Sequence, residues 1–282
     1  MGRQDSSDFE LKYPPTEDLS PRRLKLVPVS DRASKRRDLY VFLVHGFNVR
    51  GWAAEVGFGT FRENALAVSA RLAANMLSVT WPGKLAYWEA IAVAKESAVL
   101  FAEHLASLGR VDRRIHLVLV GHSMGCRVIL ETLERLMRKP GALDNVDLDV
   151  FLMAAAVPTD LVRAGGRLHP AATTSTIRMV FYSAIDQALL VFPIGQRIAA
   201  ASEPEEGFYP QAVGWKGGPE GVWTDRERKW YLHGQYWTSK PVVQAVARKL
   251  RLEESRELPE REFGRRPLDA SRPERLGARR TG

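Results

Sequence analysis

The chain has 282 residues, 45% hydrophobic and 26% charged, enough for one sizeable core beneath an ordinary polar surface. Its net charge of +8 gathers toward the ends, where nine arginines interleave with seven acids after Leu250. That mixed-sign pattern is a solvated tail rather than a nucleic-acid surface, and the single cysteine, Cys126, excludes an internal disulfide.

Residues 1–21 are polar, carry Pro14, Pro15 and Pro21, and read as a disordered or loosely attached lead. Short apolar runs then alternate with helical patterns. Leu24–Val29 is a candidate strand, and Leu39–Val44 is a second, uniformly apolar as expected of a strand buried on both faces. The glycine-containing interval at Gly51–Ala54 and Gly57–Gly59 is apolar enough for a small lid, and Phe61–Asn75 has helical spacing. Leu77–Trp81 reads as a strand stopped by Pro82 and Gly83, followed by a long helix ending near Gly109. That helix carries Glu89, Lys95, Glu96 and Glu103, so it reads as packed against a core rather than as a membrane span.

Strand Ile115–Val120, helix Met124–Arg138, and strands Leu148–Met153 and Ile177–Tyr182 continue the alternation. Helical patterns at Ala188–Ala200 and Pro241–Leu250 close it. The rhythm predicts an α/β fold: a three-layer, doubly wound, mostly parallel sheet over residues 22–250, followed by a charged tail over 251–282. Right-handed crossovers place loop-borne chemistry at the carboxyl ends of the strands.

Gly121-His-Ser-Met-Gly125 fits G-x-S-x-G and sits between an apolar strand and a helix, the setting of a nucleophile elbow. A serine on so tight a turn has strained backbone geometry, and the flanking glycines let strand and helix approach. Ser123 then projects at a helix N-terminus, whose dipole favours developing negative charge. The loop His45-Gly-Phe-Asn48 comes directly after an earlier strand. Acyl transfer needs two donors at the oxyanion; the amides of Phe47 and Met124 are the candidates, with His45 and Gly46 supporting the loop.

A serine nucleophile needs a base and an orienting carboxylate, which come after an elbow of this kind in the order acid, then histidine. Only His169 and His233 lie beyond Ser123, and His233, in a late loop, is the better placed. Asp186, just after strand Ile177–Tyr182, is the favoured acid and could also cap the next helix. Asp160 is the alternative acid, and Asp225, in a charged run, comes third. Cys126 reads as a small buried packing residue rather than a second nucleophile. Among seven tryptophans, Trp81 and Trp215 are the pocket candidates.

The segments FLVHGFN, VTWPG, LVGHSMGCRVILETL and FYSAIDQAL, in this order, resemble an uncharacterised, largely bacterial family of α/β-hydrolase-like proteins. That family carries an HG[FY]N loop, a strand ending in W-P, an HSMG elbow and a Y-S-x-x-D-x-A-L segment; the resemblance spans roughly residues 38–237. It implies the α/β-hydrolase fold, with Ser123 as nucleophile, Asp186 as acid and His233 in the late histidine position. A fold of this type hosts many chemistries, so the resemblance supplies no substrate.

The expected activity is hydrolysis of a carboxylic ester or related acyl bond, on a small-molecule or lipid substrate, with no metal or organic cofactor. Two rivals are a noncatalytic protein of the same fold that binds a ligand or partner, and an acyltransferase using the same triad. No nucleic-acid partner is expected, contact with a membrane surface could run through the basic tails, and the cytoplasm is the expected compartment.

Overall fold

Eight strands form one sheet in the computed structural model, which describes residues 9–12, 23–28, 39–49, 51–73, 75–83, 86–109, 114–192 and 211–256. They are β1 (Phe9–Lys12), β2 (Arg23–Pro28), β3 (Leu39–Val44), β4 (Met76–Thr80), β5 (Ile115–His122), β6 (Val146–Met153), β7 (Ile177–Tyr182) and β8 (Asp225–Arg228). The spatial order is β1-β2-β4-β3-β5-β6-β7-β8. Strands β4 through β8 pair in parallel, whereas β1–β2 and β2–β4 pair antiparallel. The expected doubly wound, mostly parallel sheet is present.

The helices are α1 (Gly51–Leu66), α2 (Ala70–Ala73), α3 (Tyr87–Gly109), α4 (Met124–Met137), α5 (Thr159–Val162), α6 (His169–Thr173), α7 (Gln187–Leu190), α8 (Val213–Lys216) and α9 (Lys240–Arg256), with a 3-10 turn at His233–Gln235. Along β3, Phe42 and Val44 enter one core while Val41 and Leu43 enter the other; β5 divides Leu117 and Leu119 from Val118 and Val120 in the same way. That two-residue alternation between two apolar faces explains why both strands read as uninterrupted hydrophobic runs. Helices α3 and α4 cover the first core, and α1 and α9 the second.

Several boundaries differ from the sequence expectation. Helix α1 begins at Gly51, not Phe61, so the interval expected to form a lid is the first half of a packed helix. Ala54, Phe58, Phe61 and Ala65 form its buried stripe, at the spacing of one helix face. The charged run at Asp225 contains strand β8, which pairs with β7 at the sheet edge. Phe9–Lys12, within the expected lead, pairs with β2, and α9 continues past Leu250 to Arg256. The helix expected at Ala188–Ala200 is seen as the short α7; residues 193–200 lie outside the described residues. The rest of the lead, residues 257–282 and any contact made by those basic ends also lie outside them.

Strand β3 is flanked by β4 on one side and β5 on the other, so the chain order reverses between β3 and β5. At such a switch point the loops leaving the two strands diverge and open a crevice. The His45 loop and the Ser123 elbow are those loops.

Candidate active site

Ser123 lies between β5 and α4 with φ 54° and ψ −123°, a conformation costly for a residue with a side chain. The surroundings hold it there. Its amide donates to the Met153 carbonyl at 2.9 Å, and its carbonyl accepts from the Ala156 amide at 3.1 Å. Two glycines make room for the elbow. A Cβ on Gly125 would lie 2.4 Å from the carbonyl oxygens of both Val44 and His45, and one on Gly46 would lie 2.7 Å from the Ser123 Cβ. The helix start is thus pressed against the end of β3.

His233 sits in the 3-10 turn, with its Nε2 2.8 Å from Ser123 Oγ and its Nδ1 2.8 Å from Asp186 Oδ2. A carboxylate oxygen only accepts, so Nδ1 carries the proton and Nε2 is left to accept from the serine hydroxyl. Asp186 is wholly buried, and its second oxygen accepts from the amides of Ala188 and Leu189 at 3.1 and 3.3 Å. It therefore caps α7 and orients His233 at once. Ser183 Oγ accepts from the amides of Ile185 and Tyr231, tying the acid loop to the histidine loop.

The other sequence candidates lie elsewhere. Asp160 is half-exposed and pairs with Arg163 at 3.4 Å, and Asp225 pairs with Lys249 at 2.8 Å. His169 donates from Nδ1 to the Val162 carbonyl at 2.9 Å and braces α5 against α6. Cys126 is fully buried, its Sγ 3.5 Å from the Met153 carbonyl, and burial pushes its thiol pKa far up. It is a packing residue.

His45 joins the first loop to β4. The Trp81 amide donates to its Nε2 at 3.1 Å, so its Nδ1 carries the proton given to the Gly46 carbonyl at 2.8 Å. Trp81 also stacks on the ring and donates through its indole to the His45 carbonyl at 2.8 Å. Burial lowers the His45 pKa to about 4, which keeps it neutral. Beyond it, the Asn48 amide is engaged with the Gly83 carbonyl at 2.9 Å, while Asn48 itself adopts a φ of 55°. Among the described residues and outside regular helix and strand pairing, no backbone hydrogen bond from the Phe47 or Met124 amide is seen.

A cleft of about 510 Å³ opens over Ser123 and His233, walled by Phe47, Tyr87, Leu189, Val191 and Phe192. Phe47 meets Tyr87 edge-on at 5.6 Å, and Tyr87 meets Phe192 likewise at 6.0 Å. Neither tryptophan expected at the pocket lines this cleft: Trp81 is a brace for His45, and Trp215 donates to the Ala184 carbonyl at 3.1 Å. Among these walls the sequence points only to Phe47, and for its amide rather than its ring. The apolar Leu189-Leu-Val-Phe192 run shortly after Asp186 was the signal that could have found them. Among the described residues, no group of three or more His, Cys, Asp or Glu side chains is placed to hold a metal ion. No helix among them is long and apolar enough to cross a membrane.

A doubly wound sheet with its elbow serine at the switch point defines an α/β hydrolase. Residues 28–246 match the family described as "Alpha/beta hydrolase of unknown function (DUF900)", and the chain belongs to that family. Solved structures that are similar include a protein from Agrobacterium vitis S4, with 11% identity and a TM-score of 0.49 over 87% of this chain and 98% of that one. An esterase from Pyrobaculum calidifontis has 13% identity and a TM-score of 0.44 over 88% and 86%. A cutinase-like protein from Cryptococcus sp. has 11% identity and a TM-score of 0.43 over 79% and 97%. No curated protein sequence matches the chain.

Proposed function

We propose that the protein is a serine hydrolase that cleaves carboxylic esters or related acyl bonds through a Ser123–His233–Asp186 triad. The observation that carries this reading is the unbroken hydrogen-bond chain from Ser123 Oγ through His233 to buried Asp186, beneath an apolar cleft. His233 Nε2 takes the serine proton as Oγ attacks the acyl carbon, and Asp186 stabilises the imidazolium that forms. The amides of Phe47 and Met124 hold the oxyanion, helped by the α4 N-terminus. His233 then gives its proton to the leaving alcohol. A water activated by the same Nε2 releases the acid and regenerates the serine.

The cleft walls favour neutral apolar acyl groups. Phe47, Tyr87, Leu189, Val191 and Phe192 present no charge to pair with an anionic or cationic substituent. Small-molecule and lipid esters are thus the proposed substrates.

Hydrolysis of p-nitrophenyl butyrate, wild type against Ser123→Ala, tests the reading. Serine removal should lower kcat by about 10⁴-fold or more. Equal turnover by the two proteins would reject Ser123 as the nucleophile. Product analysis with an added alcohol separates hydrolysis from acyl transfer: free butyrate is expected, and a new butyryl ester as main product would identify a transferase.

A further inference from the structure

His122 occupies the variable position of the elbow, one residue before the serine, and the triad mechanism gives it no task. It is the last residue of β5 and is 5% exposed. Its Nε2 lies 2.7 Å from the carbonyl oxygen of His233, 111 residues further along the chain. A carbonyl only accepts, so the contact places the proton of His122 on Nε2. The ring also packs against those of His233, Tyr236 and Trp237, with centroids 4.8, 5.9 and 6.0 Å away. Burial, with a smaller contribution from the neighbouring His233, lowers its pKa to about 3, so the ring stays neutral.

Other holds on the turn that His122 touches are the Tyr231 amide on Ser183 Oγ just before it and the His233 ring on Asp186; neither of these fixes the His233 backbone. Leu232, Gly234 and Gln235 are all exposed. Within the turn, the Gln235 side chain only closes back on the Leu232 amide. Buried Tyr236 and Trp237 anchor the segment after the turn rather than His233 itself. Strand β5, by contrast, is central and buried, and Ser123 is the next residue in line.

We infer that His122 is a positioning residue: it fastens the backbone of His233 to the strand that presents Ser123, fixing the distance between base and nucleophile. The inference rests on the hydrolase reading for its catalytic consequence, though not for the structural tether. Because nucleophile and tether are adjacent at the end of one rigid strand, base and serine share a single frame. Without the tether the turn keeps its fold, and His233 Nε2 samples positions away from Oγ. Misplacement on an ångström scale costs roughly 10²-fold in rate.

His122→Met removes the N–H at similar side-chain length, and His122→Gln returns an N–H donor at the ε position. With Met, kcat and the rate of fluorophosphonate labelling should fall about 10- to 100-fold, with KM within about threefold. Amide exchange over residues 231–237 should rise at least about tenfold while β5 stays protected. Gln should bring both readouts to within about fivefold of wild type. Exchange and labelling in the Met variant within about threefold of wild type would overturn the tether. So would loss with Met that Gln does not restore. If wild type resists the phosphonate, the hydrolase reading fails, and exchange over 231–237 still decides the tether. Should the Met variant not fold, ¹⁵N imidazole spectra of wild type decide it: a neutral His122 protonated on Nε2 at neutral pH is expected, and an Nδ1-protonated or charged ring rejects the bond.

Discussion

Replacing Asp186 with Asn probes the triad with little change in shape. The amide oxygen can still accept from Ala188 and Leu189, so the cap on α7 survives. At the other position an NH₂ now faces His233 Nδ1 at the 2.8 Å where a carboxylate oxygen accepted. Two N–H donors cannot share that contact, so the ring shifts its proton to Nε2 and loses the lone pair aimed at Ser123. A base in the wrong tautomer should lower kcat by about 10³–10⁴, or about 4–5 kcal/mol of transition-state stabilisation. KM should stay within about threefold, because the apolar walls are untouched. Stability should change little, since relief from burying a carboxylate offsets the lost charge-assisted bond, and Tm should shift by about 4 °C or less. Ester hydrolysis in mildly alkaline buffer with parallel thermal melts measures all three. Asp160→Asn, at a half-exposed residue paired with Arg163, should keep activity within about twofold. An Asp186→Asn protein with more than about a tenth of wild-type kcat, or an Asp160→Asn protein equally impaired, would refute the assignment.

The protein should lose stability in mild acid, because His45 and His122 are buried neutral with pKa values lowered from 6.5 to about 4 and about 3. Between those values and 6.5 the unfolded chain binds protons that the folded chain does not, so stability falls as pH falls through this window. The two residues together should remove on the order of 3–4 kcal/mol between about pH 7 and pH 5. A Tm that holds constant over that range would contradict their neutral burial. Two glycines should respond oppositely to alanine. Gly59→Ala, with open space around the added Cβ, should stabilise α1 by about 0.5–1 kcal/mol. Gly125→Ala, which drives a methyl into the carbonyls of Val44 and His45, should cost about 3 kcal/mol or more. Denaturant titration of both proteins checks the pair, and equal stability would show that the backbone beneath the elbow can give way to a methyl group.

The central sheet is legible in the sequence because its strands are buried on both faces. The apolar run Leu39–Val44 and the largely apolar Ile177–Tyr182, interrupted by Arg178, coincide with β3 and β7 at both ends. β8 is not legible, because its Asp-Arg-Glu-Arg sequence pairs only at the sheet edge and carries no hydrophobic signal. The start of α1 is hidden by Gly51, Gly57 and Gly59, which lower helix propensity. Packing overrides them: Phe58 and Phe61 stand edge-on to Trp237, and a Cβ on Gly57 would lie 3.3 Å from that tryptophan. Ser123, His233 and Asp186 can be proposed from residue type and chain order. Of the pocket walls only the apolar Leu189–Phe192 run carries a signal, and the tryptophans mislead, since which face of a loop Trp81 or Trp215 presents depends on partners far away in sequence. The contact between His122 and His233 is invisible for the same reason.

The most direct test of the proposed chemistry is intact-mass and peptide analysis of the folded protein after reaction with a fluorophosphonate. A single phosphonyl group per chain is expected, carried on Ser123, with slow appearance in the Asp186→Asn protein. An adduct on any other residue, or none on folded wild type, would contradict the triad.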